Sequence, residues 1–209
     1  NLSNFLAKKL FKIFKIFFVE TNLSELPDNN YKIEKNNLIN EIEKGKLFQE
    51  NNIKPYITYP HLLDLLTIIQ DGKKKIKIFD YGAGNLNLFF YLKRKFKNFD
   101  YFFYYQKKVN MIVNEYKLTN SLNNLHVEAD SVDGLDLVYF GSSLQYISNY
   151  ELQIKKFFKK TKYFLISQSP FFEKPSGMTS IVVKQVNMHP FINYLYLLNL
   201  NKFVDFMEK

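Results

Sequence analysis

The chain has 209 residues, 46% of them hydrophobic and 18% aromatic, enough to bury one sizeable core. With no cysteine it forms no disulfide or thiolate metal site and runs no cysteine-nucleophile chemistry, cytosine C5 methylation included. A net charge of +9 would draw polyanions or anionic lipid, although a chain this rich in Asn, Ile, Phe and Tyr also carries the stamp of AT-rich codons.

At the N-terminus, Lys8, Lys12 and Lys15 share one helical face while Leu2, Leu6, Leu10, Ile13 and Phe17 share the other. This predicts a basic amphipathic helix. Its lysines interrupt the apolar run well short of the ~20 residues that span a bilayer, so it either lies on an anionic membrane surface or packs its apolar face on the domain or a second subunit. The chain begins at Asn1, not Met, and a polar stretch around Pro27 to Asn30 reads as a linker. The expected division is therefore residues 1–30, helix and linker, and residues 31–209, one α/β domain. A helix over 31–44 is expected to stop at Gly45. A second, over 61–70, leads into a sheet, with His61 as a cap or surface residue. His61, His126 and His189 lie far apart, which argues against a metal site.

The segment 75–96 is the most informative. Ile76, Ile78 and Phe79 read as a buried strand, Asp80, Gly82 and Gly84 as its exit turn, and Leu86, Leu88, Phe89, Leu92 and Phe96 as the next helix. A strand, glycine turn and helix in this order make a ligand crevice at the carboxyl edge of a parallel sheet. A dinucleotide fingerprint needs a third glycine where Asn87 stands, and a carboxylate at Asp80 would repel phosphate. The same carboxylate suits a ligand with an ammonium and a sulfonium and no phosphate. S-adenosylmethionine is such a ligand, and the glycines would let its methionyl part lie against the backbone.

Strands and helices then alternate, as in a parallel sheet with right-handed crossovers. Strands are predicted at 101–105, 125–128, 137–140, 163–167 and 180–186, with helices at 107–118 and 150–160. The aromatic run at 101–105 reads as a strand covered on both faces, not as a base-stacking platform. Functional positions should fall at the carboxyl ends of the strands: 80–84, Gln106, Asp130, 141–146 and 168–172.

Residues 137–147, LVYFGSSLQYI, together with the Asp80 turn and the later segments ISQSPF and SIVVKQV, resemble a family of class I S-adenosylmethionine-dependent methyltransferases. Members are often encoded among bacterial surface-polysaccharide genes. The similarity spans roughly residues 31–194 and is strongest in the Leu-Gln-Tyr turn. It implies a Rossmann-like fold with helices on both faces of the sheet, and methyl transfer to a small-molecule or saccharide acceptor in the cytoplasm, peripheral to the inner membrane face if the N-terminal helix docks there. Nucleic acid is not the implied partner.

By the same resemblance, Asp80, Gly82 and Gly84 would hold the methionyl part of the cofactor, Gln106 the ribose and Asp130 the adenine amino group. Ser142, Ser143, Gln145 and Tyr146 would line the floor near the methyl, Gln145 and Tyr146 being the catalytic candidates. The chain departs from the family pattern at Leu86, where a third glycine is expected, and at Ser167 and Gln168, which replace an acid and an arginine. It also ends at Lys209 without an obvious final antiparallel strand, as a fragment or a diverged enzyme would. No general base stands out among Tyr146, Glu173 and His189, while Gln185 is a second candidate for orienting the acceptor.

Two rivals stay open. An RNA methyltransferase would show salt-sensitive RNA affinity, although the turn Gly141-Ser142-Ser143-Leu144 lacks the Asn-Pro-Pro-aromatic motif of adenine amino methylation. A non-catalytic scaffold would fail to bind cofactor.

Overall fold

The computed structural model describes residues 17–27, 34–51, 60–71, 73, 75–127, 132–173, 177–185 and 193–208. In chain order the elements are β1 (Phe18–Glu20), α1 (Lys35–Glu50), α2 (Pro60–Gln70), β2 (Ile76–Tyr81), α3 (Asn87–Lys95), β3 (Phe99–Tyr104), α4 (Lys107–Thr119), β4 (Leu125–Val127), β5 (Leu135–Gly141), a 3-10 turn (Leu144–Tyr146), α5 (Tyr150–Lys155), β6 (Thr161–Ser167), β7 (Phe171–Phe172), β8 (Ser180–Gln185), β9 (Asn193–Asn199) and α6 (Leu200–Met207). Two compact units emerge. The larger comprises residues 31–143 and 153–167, the smaller residues 1–30, 144–152 and 168–209.

The larger unit is an α/β layer built on a five-stranded, wholly parallel sheet in the order β4-β3-β2-β5-β6. The chain leaves β2 toward β3 and β4, then returns to its other side for β5 and β6. That reversal makes β2 and β5 the switch point, outside whose carboxyl ends ligands settle in open α/β sheets. Near-continuous apolar strands fit this position, because Ile76, Ile78, Phe79, Tyr101, Phe103, Leu137, Val138 and Phe140 are all buried.

Strand register sorts the two faces. Ile78 lies beside Tyr101 and Leu137, and Asp80 beside Phe103 and Tyr139, so one face collects Ile76, Ile78, Asp80, Phe99, Tyr101, Phe103, Leu137 and Tyr139. Its apolar members and Tyr101 and Tyr139 join one core cluster with residues of α1, α2, α3 and α4. The other face stacks Phe79, Tyr81, Tyr104 and Phe140, with Phe157 capping Phe79 at 4.9 Å between ring centroids. Phe89 of α3 is wholly buried against Phe99 and Tyr101, and truncating such a ring costs about 3–5 kcal/mol.

The 31–44 helix does not stop at Gly45. α1 runs on to Glu50, and its buried stripe is Leu38, Ile42, Gly45 and Gln49, spaced by four, three and four. Gly45 is a packing glycine, since a Cβ there would collide with the Asn87 side chain at the start of α3. A helix breaker by propensity thus serves close helix approach, and burial outweighs a cost of about 1 kcal/mol.

The smaller unit holds a four-stranded sheet ordered β1-β8-β9-β7, antiparallel at β1/β8 and β8/β9 and parallel at β7/β9. The strand expected at 180–186 therefore does not extend the parallel sheet. It is β8, and its partner β9 is an antiparallel strand that sequence reading missed. Asn199 caps α6 by accepting from the Lys202 N–H at 3.3 Å. Phe203 and Phe206 of that helix pack on Tyr150, and Phe203 also on Phe171. Among the described residues no helix is long and apolar enough to cross a membrane. The basic N-terminal pattern at residues 2–15 lies outside the described residues, and Phe17 directly precedes β1.

Candidate active site

In the larger unit, the carboxyl end of β2 turns sharply. Gly82 (φ 80°) and Gly84 (φ 64°) are both left-handed, a region open to glycine at little cost. The Gly82 N–H donates to the Tyr104 carbonyl at 2.8 Å, tying the turn to β3, and the Asn85 side chain accepts from the Asn87 N–H at 3.0 Å as α3 begins. The two glycines do different jobs. A Cβ at Gly82 would collide with Ser143, whose hydroxyl donates to the Tyr81 carbonyl at 2.6 Å, whereas among the described residues no atom lies within 4 Å of a Cβ built at Gly84. Gly82 closes the turn against the β5 exit loop, and Gly84 leaves room beside the backbone.

Beneath this turn Asp80 is buried, 4% exposed, and accepts a hydrogen bond from the Tyr101 hydroxyl. Burial raises its carboxyl from the usual carboxylate range to about 7, against the lowering effect of the Tyr101 bond. Tyr139, beside Asp80 in register, shares a 2.8 Å hydrogen bond with Ser167 Oγ. Burial raises that phenol too, opposed by Ser167 and reinforced by the Asp80 charge. Its ring lies where a side chain at Gly141 would have to go.

Ser142 is a non-glycine residue at φ 56°, held there by its N–H donating to the Ser167 carbonyl at 2.9 Å. Such a conformation in a residue with a Cβ costs about 1–3 kcal/mol and tends to collect at functional sites. Gln106, exposed, is the N-cap of α4 and makes no side-chain cap bond. The turn before it is secured by the buried Asn110, which accepts from the Tyr105 N–H and donates to the Tyr105 carbonyl, both at 2.9 Å. Sequence reading missed Asn110, Tyr101 and Tyr139. Only a polar residue on an apolar helix stripe, and hydroxyls within apolar strands, could have signalled them.

Of the residues named from sequence, Asp80, Gly82, Gly84, Gln106, Ser142 and Ser143 all belong to the larger unit and to the carboxyl edge of its sheet. Asp130 and His189 lie outside the described residues. Gln145 and Tyr146 belong to the smaller unit, on its 3-10 turn. There Gln145 is buried with Oε1 accepting from the Ser169 hydroxyl at 3.2 Å, and Tyr146 is 43% exposed. Glu173 is exposed just after β7, and Gln185 ends β8. Gln168, where the family pattern has arginine, is left-handed at φ 58°. Among the described residues no three His, Asp or Glu side chains gather as metal ligands would.

No protein-family model matches the chain, and no curated protein matches it significantly. Solved structures do resemble it. A Methanococcus maripaludis protein provisionally assigned as an S-adenosyl-L-methionine-dependent methyltransferase shares 17% identity over 68% of this chain, with a TM-score of 0.43. This chain spans 66% of that protein's length, just under two thirds. An S-adenosylmethionine-dependent methyltransferase from Clostridium acetobutylicum matches over 100% of this chain and 87% of its own, at 14% identity and a TM-score of 0.41. The Burkholderia thailandensis 1,6-didemethyltoxoflavin-N1-methyltransferase, solved with 1,6-didemethyltoxoflavin and S-adenosylhomocysteine, matches over 92% of this chain and 87% of its own, at 8% identity and a TM-score of 0.41.

Proposed function

We propose that the carboxyl edge of β2 binds S-adenosylmethionine and that the chain transfers its methyl group to a small-molecule acceptor. One observation carries this reading: a buried carboxylate, Asp80, lies beneath a left-handed glycine turn whose second glycine faces open space, at the switch point of a parallel sheet. A cationic ligand that lacks phosphate suits that charge, and the bare Gly84 backbone suits its approach. Gln106 at the end of β3 can donate one hydrogen bond to a ribose hydroxyl and accept another, the task an acid performs in the family it resembles. Ser142 extends the same edge from β5.

The cofactor's sulfonium supplies the electrophilic methyl, so the protein's part is to bind, orient and exclude water. A saccharide of a bacterial surface polysaccharide is the finer acceptor proposal, resting on the resemblance in the LVYFGSSLQYI segment. Gln145 and Tyr146 are proposed to orient that acceptor. The N-terminal segment, residues 1–30, is proposed to dock on an anionic membrane surface while residues 31–209 do the chemistry in the cytoplasm. The buried Gln145, already bonded to Ser169, favours one alternative, a non-catalytic scaffold.

Calorimetric titration with S-adenosylmethionine and S-adenosylhomocysteine tests the proposal. Binding should tighten as pH rises through about 7, where Asp80 ionises, and should weaken at least tenfold in Asp80→Asn. A folded protein that binds neither compound rejects the cofactor reading. Binding without turnover in an acceptor screen moves the scaffold reading to first place.

A further inference from the structure

One lysine-rich run of the chain plays no part in the site described above. Residues 155–162 read KKFFKKTK, five lysines in eight positions, and link the end of α5 to the start of β6 within the larger unit. Lys155, Lys156, Lys159 and Lys162 are exposed. Lys160 is partly compensated, 3.8 Å from Asp133. Lys156 donates to Gln153 at 2.8 Å, and Lys162 sits 5.1 Å from the Tyr163 ring centroid, so both contacts leave the positive charge without a carboxylate.

Between the lysine pairs stand two phenylalanines with opposite fates. Phe157 is buried against Phe79, whereas Phe158 is 37% exposed and meets Phe164 edge-to-face at 5.8 Å. Phe157 anchors the turn, and that anchor leaves its neighbour outward among the lysines. The turn enters β6 at the amino edge of the sheet. Seven residues of strand, about 20 Å, separate it from the carboxyl edge that holds the candidate site.

We infer that the turn at residues 155–162 is a docking surface for an anionic lipid bilayer. Lysine ammonium groups settle at the headgroup level of an anionic leaflet, and an aromatic side chain among them enters the boundary with the acyl chains. Single-stranded nucleic acid is instead tracked by a charged groove with several stacking rings. This turn offers one exposed ring, already engaged on an edge. The charge is complementary to the partner, as is the net +9 of the whole chain. The sequence at residues 8–15 holds four further lysines.

The full chain should co-sediment with phosphatidylcholine vesicles containing phosphatidylglycerol, not with phosphatidylcholine alone, and added salt should weaken the association. Each exposed lysine near an anionic surface raises partitioning about fivefold. Replacing Lys155, Lys156, Lys159 and Lys162 together by Gln should therefore lower it about a hundredfold or more. Phe158→Ala should lower it several-fold at unchanged charge. A melting curve matching the parent shows that these surface variants stay folded, and replacing Lys8, Lys12 and Lys15 by Gln separates the contribution of the N-terminal segment. Three results would overturn the inference: no vesicle binding by the parent, undiminished binding by the quadruple variant, or lysine-dependent binding to single-stranded RNA without vesicle binding.

Discussion

Two aspartates at opposite ends of the same parallel sheet are treated in opposite ways. At the amino edge, Asp100 of β3 meets Lys75 at 2.7 Å and His126 at 3.1 Å; burial alone would raise its carboxyl, but those two partners hold it below the usual range. Nearby, the buried Asp136 takes the Lys73 ammonium and the Lys77 N–H, the latter at 2.9 Å, and so ties β5 to the entry of β2. At the carboxyl edge, Asp80 accepts from the neutral Tyr101 phenol, and burial drives it up to about 7. The amino edge satisfies its charges within the protein and stabilises the fold. The carboxyl edge leaves a buried charge costly, as the proposed binding of a cationic cofactor there would require.

The largest expected effect is the pH dependence of stability set by Asp80. Its folded pKa lies above the unfolded one, so its contribution is fully present below about pH 4 and is lost as pH rises toward about 7. At about 1.4 kcal/mol per unit, that loss approaches 4 kcal/mol. Asp80→Asn should therefore match the parent near pH 4 and exceed it by up to this amount above pH 7 in urea unfolding. Parallel pH profiles for the two proteins would mean that the carboxylate is not held as described.

Gly82→Ala should follow, because it forces a Cβ into Ser143 at a left-handed φ. A loss of about 3 kcal/mol, or roughly 6–12 °C in Tm, is expected. Asp136→Ala leaves the half-buried Lys77 N–H without its acceptor and should cost about 1–2 kcal/mol by chemical denaturation. Gly84→Ala meets no neighbour, so stability should drop by only about 1 kcal/mol, from backbone strain. Cofactor affinity should fall much further, and equal losses in both measurements would deny Gly84 its place against a ligand. Lys75→Met, removing a half-exposed partner of Asp100, should change stability by less than about 1 kcal/mol, with an effect that fades as pH falls through the carboxylate range.

The parallel sheet was legible because its strands are buried on both faces, so Ile76 to Phe79 is apolar apart from Lys77 and β3 carries an unbroken aromatic run. The glycine turn was equally plain, since left-handed φ leaves few residue types to choose from. What escaped sequence reading was set by tertiary partners. Gly45 reads as a stop by propensity, and only the proximity of Asn87 explains it. β9, NYLYLLN, lacks the polar alternation that marks an antiparallel strand, because residues of both its faces are buried. The Tyr101 and Tyr139 hydroxyls around Asp80 sit in segments that sequence alone assigns to core. Pattern located the candidate site, and cross-strand register revealed why its carboxylate is unusual.

Asn110 gives Tyr105 both hydrogen bonds that an adjoining strand would have given it. β3 can therefore end without orphaned backbone groups, and Gln106 begins α4 without a side-chain cap bond. Anchoring falls to Asn110 and the proposed ligand contact to Gln106, four positions apart. The amide at Gln106 could be exchanged for an acid, or for a shorter group, while the strand end stayed where it is, so ligand preference at this edge can drift without a folding penalty to oppose it.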